Sequence, residues 1–212
     1  HSELSDELQK AFREILSSCS FSSGPAVEDF EKDFASFTGS SECIGVNSGT
    51  SALHLALLAA GIKPGDEVIA PAMSFLATVA AIEYTGATPV IVDVEEDNYC
   101  LNPSGLRSAI SARTKAIIPV HLYGQPADMT SINAIAQENN IAIIEDSAQA
   151  HGAYLNGQPC GTMGKMAAFS FYPGKNLGAC GEAGAITTND PEKAHLLRSM
   201  RDWGQEGKGN HK

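Results

Sequence analysis

ECIGVNSGTSALHLALLAAGIKPGDEVIAPA, residues 42–72, decides the fold. A short apolar run, ECIGV, is followed by a longer helical pattern, SALHLALLAAG, and then by a second short run inside DEVIAPA. Apolar runs this short read as buried strands, and the longer pattern between them reads as a crossover helix. The beat continues downstream through FLATVAAIEYTG, TPVIVDV, PSGLRSAIS, TKAIIPV, MTSINAIAQENN and IAIIED, ending at residue 146. Strands alternating with helices predict an α/β domain on a mostly parallel sheet. MAAFSF and AGAITT read as two more strands, and PEKAHLLRSMRDWG as a helix opened by proline. Upstream, Glu3 to Leu16 reads as an amphipathic helix. A second helix follows, with Pro25 at its start, an apolar stripe of Val27, Phe30, Phe34 and Phe37, and Gly39 at its stop.

The chain has 212 residues, 43% of them hydrophobic, enough for one sizeable core. Its formal net charge of -11 argues against nucleic acid and against anionic membrane surfaces as partners. An anionic ligand therefore needs a local pocket of donors. The five cysteines are dispersed with no C-x-x-C pair. That pattern suggests reduced thiols in a cytoplasmic protein rather than a disulfide framework or a zinc site. No apolar run is long enough to span a bilayer, and the first residues lack a signal-peptide profile.

In an open α/β sheet, ligands sit beyond the carboxyl ends of the strands. Four polar stretches fall there. In NSGTSALH, Gly49, Thr50 and Ser51 open a helix whose free N–H groups and dipole suit a phosphate, although an ordinary Ser/Thr N-cap reads the same way. The P-loop pattern is absent. In EDSAQAHG, Asp146 emerges at a strand end, where a semi-buried carboxylate needs a cationic partner. His151 reads as a packed loop histidine. In FSFYPGKNLGACGEAGA, residues 169–185, Ser170 ends a strand and Lys175 lies in a glycine-rich turn that lets a ligand approach the backbone. A lysine so confined is a good Schiff-base amine. In APAMSFLAT, Phe75 could offer a ring to a flat ligand, although taken alone it reads as a core phenylalanine. Together the four specify pyridoxal 5'-phosphate: a phosphate at a helix N-terminus, a stacked aromatic plane, an acid facing a ring cation and a lysine imine. The glycines at 178, 181 and 184 do not have the nicotinamide-fold spacing.

These stretches, with PVIVDV and PVHLYGQPADM between them, resemble the DegT/DnrJ/EryC1/StrS family over essentially the whole chain. The resemblance implies a fold-type-I pyridoxal phosphate enzyme with a three-layer α/β/α large domain. It implies an aminotransferase acting on a nucleotide-linked keto sugar, with L-glutamate as amino donor. Residue by residue, it implies Lys175 as Schiff-base lysine and proton carrier, and Asp146 as the acid at the pyridine nitrogen. Gln149 matches the residue near the phenolic oxygen and Phe75 the stacking ring. Thr50, flanked by Gly49 and Ser51, matches the phosphate position, and Ser170 the serine that also reaches the phosphate. Gln149 in E-D-x-A-Q resembles relatives that aminate carbon 3. Lys175, where some relatives carry histidine, favours amino transfer over sugar dehydration. A truncated non-catalytic domain, sugar dehydration and cyclitol amination remain alternatives. The chain departs from the family pattern with GEAG at 181–184 and KGNH at 208–211.

The resemblance divides the chain into a helical segment, 1–38, and a cofactor-binding large domain, 39–212, with the smaller C-terminal domain of the family lacking. It also implies a homodimer with a shared active site.

Overall fold

A computed structural model of the chain describes residues 3–205. The KGNH stretch therefore lies outside the described residues.

The beat read from residues 42–72 builds β1 (Glu42–Val46), α3 (Gly49–Ala59) and β2 (Glu67–Pro71), preceded by α1 (Ser5–Ser18) and α2 (Pro25–Thr38). Then come α4 (Leu76–Tyr84), β3 (Thr88–Val92), α5 (Pro103–Ala109), β4 (Thr114–Ile117), a 3-10 turn at Leu122–Gly124, α6 (Met129–Asn139) and β5 (Ala142–Asp146). A small hairpin, β6 (Tyr154–Leu155) with β7 (Gln158–Pro159), precedes β8 (Met166–Ser170), β9 (Gly184–Thr188) and α7 (Pro191–Arg201). The sequence reading omits this hairpin, although its turn carries Asn156-Gly157 with both φ positive, the usual two-residue hairpin signal.

Seven strands form one sheet in the order β1-β9-β8-β5-β4-β2-β3. The pairs from β3 to β8 run parallel, and β9 is antiparallel to both neighbours. The expected α/β architecture is thus present, with a mixed sheet at one edge. Because β1 and β2 are far apart in the sheet, α3 must cross it. Its length packs against β8, β9 and β5.

Strand alternation sorts the core onto two faces. Ile144, Met166, Ala168 and Ile186 face α3, α4 and α7. Ile143 faces α5 and α6, while Ala167, Phe169 and Ala185 meet Phe34 of α2. The apolar stripe of α2 is only partly buried, with Phe34 inside, Val27 and Phe30 half-buried and Phe37 exposed. The amphipathic helix α1 forms as expected but buries no residue. Among the described residues, no helix is long and apolar enough to cross a membrane. All five cysteines are free thiols.

Candidate active site

At the carboxyl ends of the parallel strands lies a cavity of about 470 Å³. The first turns of α3 and α4, the ends of β5 and β8 and the connection from β8 to β9 enclose it. Gly49, Thr50, Phe75, Asp146, Gln149, Ser170 and Lys175 all line it. The same alternation that builds the core explains their convergence. Asp146 follows Ile144 by two, and Ser170 follows Ala168 by two, so both point to the face that α3 covers.

One end of the cavity is built for an anion. Ser48 caps α3, accepting the Ser51 N–H at 3.1 Å. The N–H groups of Gly49 and Thr50 have no partner inside the helix and head its dipole. A side chain at Gly49 would put its Cβ 2.7 Å from Ser170 Cβ, and one at Gly184 would come within 2.3 Å of the Ser48 carbonyl. Two glycines therefore let the start of α3 sit directly on β8 and β9, and Thr50 and Ser170 both line the cavity there. Ser51 lies beside this end and not on its wall. Its N–H is used by the cap, its hydroxyl accepts from the Ser48 hydroxyl at 3.1 Å, and its side chain lines a neighbouring recess instead of the cavity. Ser48, which the sequence reading does not single out, lines the cavity.

Asp146 is buried and accepts two hydrogen bonds: the Thr78 hydroxyl at 2.7 Å on Oδ2 and the Ala148 N–H at 3.2 Å on Oδ1. Burial raises its pKa above the ordinary carboxylate value. The two hydrogen bonds and the Lys175 ammonium act in the opposite sense without cancelling it. An acid in this state gains from a cation placed against it. Lys175 is half-buried across the cavity, in a turn closed by its own N–H to the Tyr172 carbonyl at 2.8 Å.

Phe75 ends the extended stretch before α4 and leaves its ring 70% exposed at the cavity. The core alternative for this residue is thereby removed. Gln149 accepts the Tyr123 N–H at 2.7 Å through Oε1. Since an N–H bonds only the oxygen of a carboxamide, this contact fixes the amide, and its NH2 end is left to donate. Tyr123 holds the bond from a left-handed conformation, φ 56°, which no sequence motif announces. His151 packs among Phe34, Phe169 and Phe171, as the reading has it. Its ring nitrogens are buried without a hydrogen-bond partner, and burial, followed by the Lys175 charge, pushes its pKa down to about 4.

A model of the DegT/DnrJ/EryC1/StrS aminotransferase family matches residues 2–212. The dTDP-3-amino-3,4,6-trideoxy-alpha-D-glucose transaminase of Streptomyces venezuelae is 46% identical over 211 residues, covering 100% of this chain and 56% of the relative. The UDP-N-acetyl-3-dehydro-alpha-D-glucosamine 3-aminotransferase of Acidithiobacillus ferrooxidans is 48% identical over 95% of this chain and 54% of its own length. The crystal structure of S. venezuelae DesV in complex with a ketimine intermediate superimposes with a TM-score of 0.97 at 47% identity, over 100% of this chain and 57% of that one. The chain thus spans little more than half the length of the relatives it matches.

Proposed function

The chain belongs to the DegT/DnrJ/EryC1/StrS aminotransferase family, and from that premise we propose that it carries the cofactor-binding half of a pyridoxal phosphate-dependent aminotransferase. Its acceptor is a nucleotide-linked keto sugar and its donor L-glutamate. The observation that carries the reading is the convergence of Lys175, Asp146, Phe75 and the α3 N-terminus on one cavity. The residues present fit pyridoxal phosphate on chemical grounds. A helix start pressed onto Ser170 offers N–H and hydroxyl donors to a phosphate. A buried acid with an elevated pKa suits a ring cation, an exposed phenyl ring suits a flat face, and a lysine lies across from both.

When bound, the cofactor supplies an aldehyde that condenses with amines and an electron-poor ring that accepts charge from the neighbouring carbon. Gly49 and Thr50 hold the phosphate through their N–H groups, and the Thr50 and Ser170 hydroxyls add bonds. Phe75 covers one ring face. Asp146 keeps the proton on the ring nitrogen by accepting it as a hydrogen bond. Gln149, locked as a donor by Tyr123, supports the ring oxygen as an anion. Lys175 Nζ would hold the cofactor through its aldehyde carbon, and as a free amine it would carry a proton from the nitrogen-bearing carbon of the donor to that cofactor carbon. Carbon 3 is the position of the keto group, supported by Gln149 and by the carbon-3 amino groups in the names of both curated relatives. We assign the working unit as a homodimer whose active sites are shared, in the cytoplasm.

Incubation with pyridoxal phosphate, [15N]glutamate and a nucleotide-linked 3-keto sugar tests the reading. Label is expected in the sugar product and absent from the Lys175→Ala variant. Glutamate that keeps all its label in the presence of bound cofactor would overturn amino transfer.

A further inference from the structure

Asp146 does not meet the cavity alone. Behind its Oδ2 stands a fully buried hydroxyl, Thr78 Oγ1, at 2.7 Å, and behind that the Ser74 hydroxyl, again at 2.7 Å. Ser74 lines the cavity. Ser74 precedes the Phe75 cap of α4 and Thr78 lies in its first turn. We propose that Ser74 and Thr78 form a hydroxyl relay that orients Asp146 and keeps it ionised, making both positioning residues for the acid that faces the cofactor ring.

The donor count fixes the direction. A carboxylate only accepts, so the single Thr78 proton must go to Asp146 Oδ2. The Thr78 oxygen is then free to accept, and the Ser74 proton fills that place. Each hydroxyl thus has its one donor position determined, and the chain runs one way, from cavity wall to acid. If Asp146 took a proton on Oδ2, the Thr78 hydroxyl would have to turn towards Ser74 and the relay would reverse. Holding the forward direction opposes protonation. It acts in the same sense as the Ala148 N–H and Lys175, which also bear on this carboxyl, and against the burial that raises its pKa. The relay also pins Oδ2. With the Ala148 N–H occupying only part of Oδ1, one lone pair on that oxygen stays available for a ring N–H.

The inference deepens the reading of Asp146 as the acid beside the cofactor, so its test has one arm that needs no cofactor. Asp146 would be titrated in the cofactor-free protein by NMR of 13C-labelled aspartate carboxyls, with Asp146→Asn used to assign the signal. Thr78→Val keeps the β-branched shape and removes the hydroxyl; its midpoint should rise by about one pH unit, a tenfold change in the ionisation constant. Thr78→Ser should restore the wild-type midpoint, and Ser74→Ala should raise it by a smaller amount. In the second arm, the dissociation constant of pyridoxal phosphate at pH 7 should grow several-fold in Thr78→Val and stay near wild type in Thr78→Ser.

An unmoved midpoint in a folded Thr78→Val protein would overturn the relay. If the valine variant does not fold, an unmoved midpoint in Ser74→Ala overturns it equally. A raised midpoint with no binding of pyridoxal phosphate by the wild type would uphold the relay and refute the cofactor reading.

Discussion

Two carboxylates, Glu145 and Asp146, stand side by side at the end of β5 and meet opposite fates. Alternation sends them to opposite faces of the sheet. Glu145 is completely buried, and every donor around it is used. Its Oε1 accepts the N–H groups of Met163 and Gly164 at 2.7 and 2.6 Å; its Oε2 accepts that of Gly161 at 2.8 Å and meets His121 Nε2 at 2.9 Å. The His121 tautomer follows, because Nδ1 accepts the Ala127 N–H, which leaves the proton on Nε2 to donate to Glu145. Asp146 has two donors, one of them long, and the cavity beyond. A saturated carboxylate holds loops in place. An under-satisfied one, buried beside a cavity, is left to bind something. Of the two, only Asp146 has the unfilled valence that a ligand cation requires.

The largest effect should come from the saturated member. Glu145→Ala leaves three backbone N–H groups and a histidine without their acceptor, and should cost about 3–5 kcal/mol in urea unfolding. Asp146→Asn should change the stability of the cofactor-free protein by less than about 1 kcal/mol. It should nevertheless weaken pyridoxal phosphate binding by at least about tenfold, or 1.4 kcal/mol. Equal stability losses in the two variants would break the contrast.

The pH dependence sharpens it. Because burial raises the folded-state pKa of Asp146, the native protein binds more protons at this site than the unfolded chain. Its contribution to stability is therefore complete below the unfolded value of about 3.9. It is lost as pH rises through the raised native value. Urea melts across that window should show a downward slope in the wild type that is missing from Asp146→Asn.

His151 provides the smallest test, as a buried polar group that gives up its charge. With its pKa depressed to about 4, the folded ring stays neutral where the unfolded one protonates. Its share of stability is present above about pH 6.5 and is lost as pH falls towards the folded value. His151→Phe should flatten that part of the curve while changing stability at pH 8 little.

Much of this geometry was legible in the chain. The strand–helix beat gives the sheet, and the sheet's period of two would have told that Glu145 and Asp146 cannot share a face. Helix-start chemistry marks Gly49 and Thr50, but deciding between Ser48 and Ser51 requires knowing which residue becomes the cap. The Tyr123 N–H that orients Gln149 depends on a left-handed residue that sequence patterns disfavour. Thr78 looked like one more residue of an apolar helix, because its partner is 68 positions away. The amphipathic period of α1 shows that it has an apolar face without showing what the face meets.

The most direct measurement is the visible absorption spectrum of the purified protein mixed with pyridoxal phosphate, beside the Lys175→Ala variant. The account predicts a lysine-dependent band near the visible edge in the wild type, lost in the variant, which should still hold the cofactor through its phosphate. Identical spectra for the two proteins would contradict the assignment of Lys175, and with it the central claim that this cavity is built around that amine.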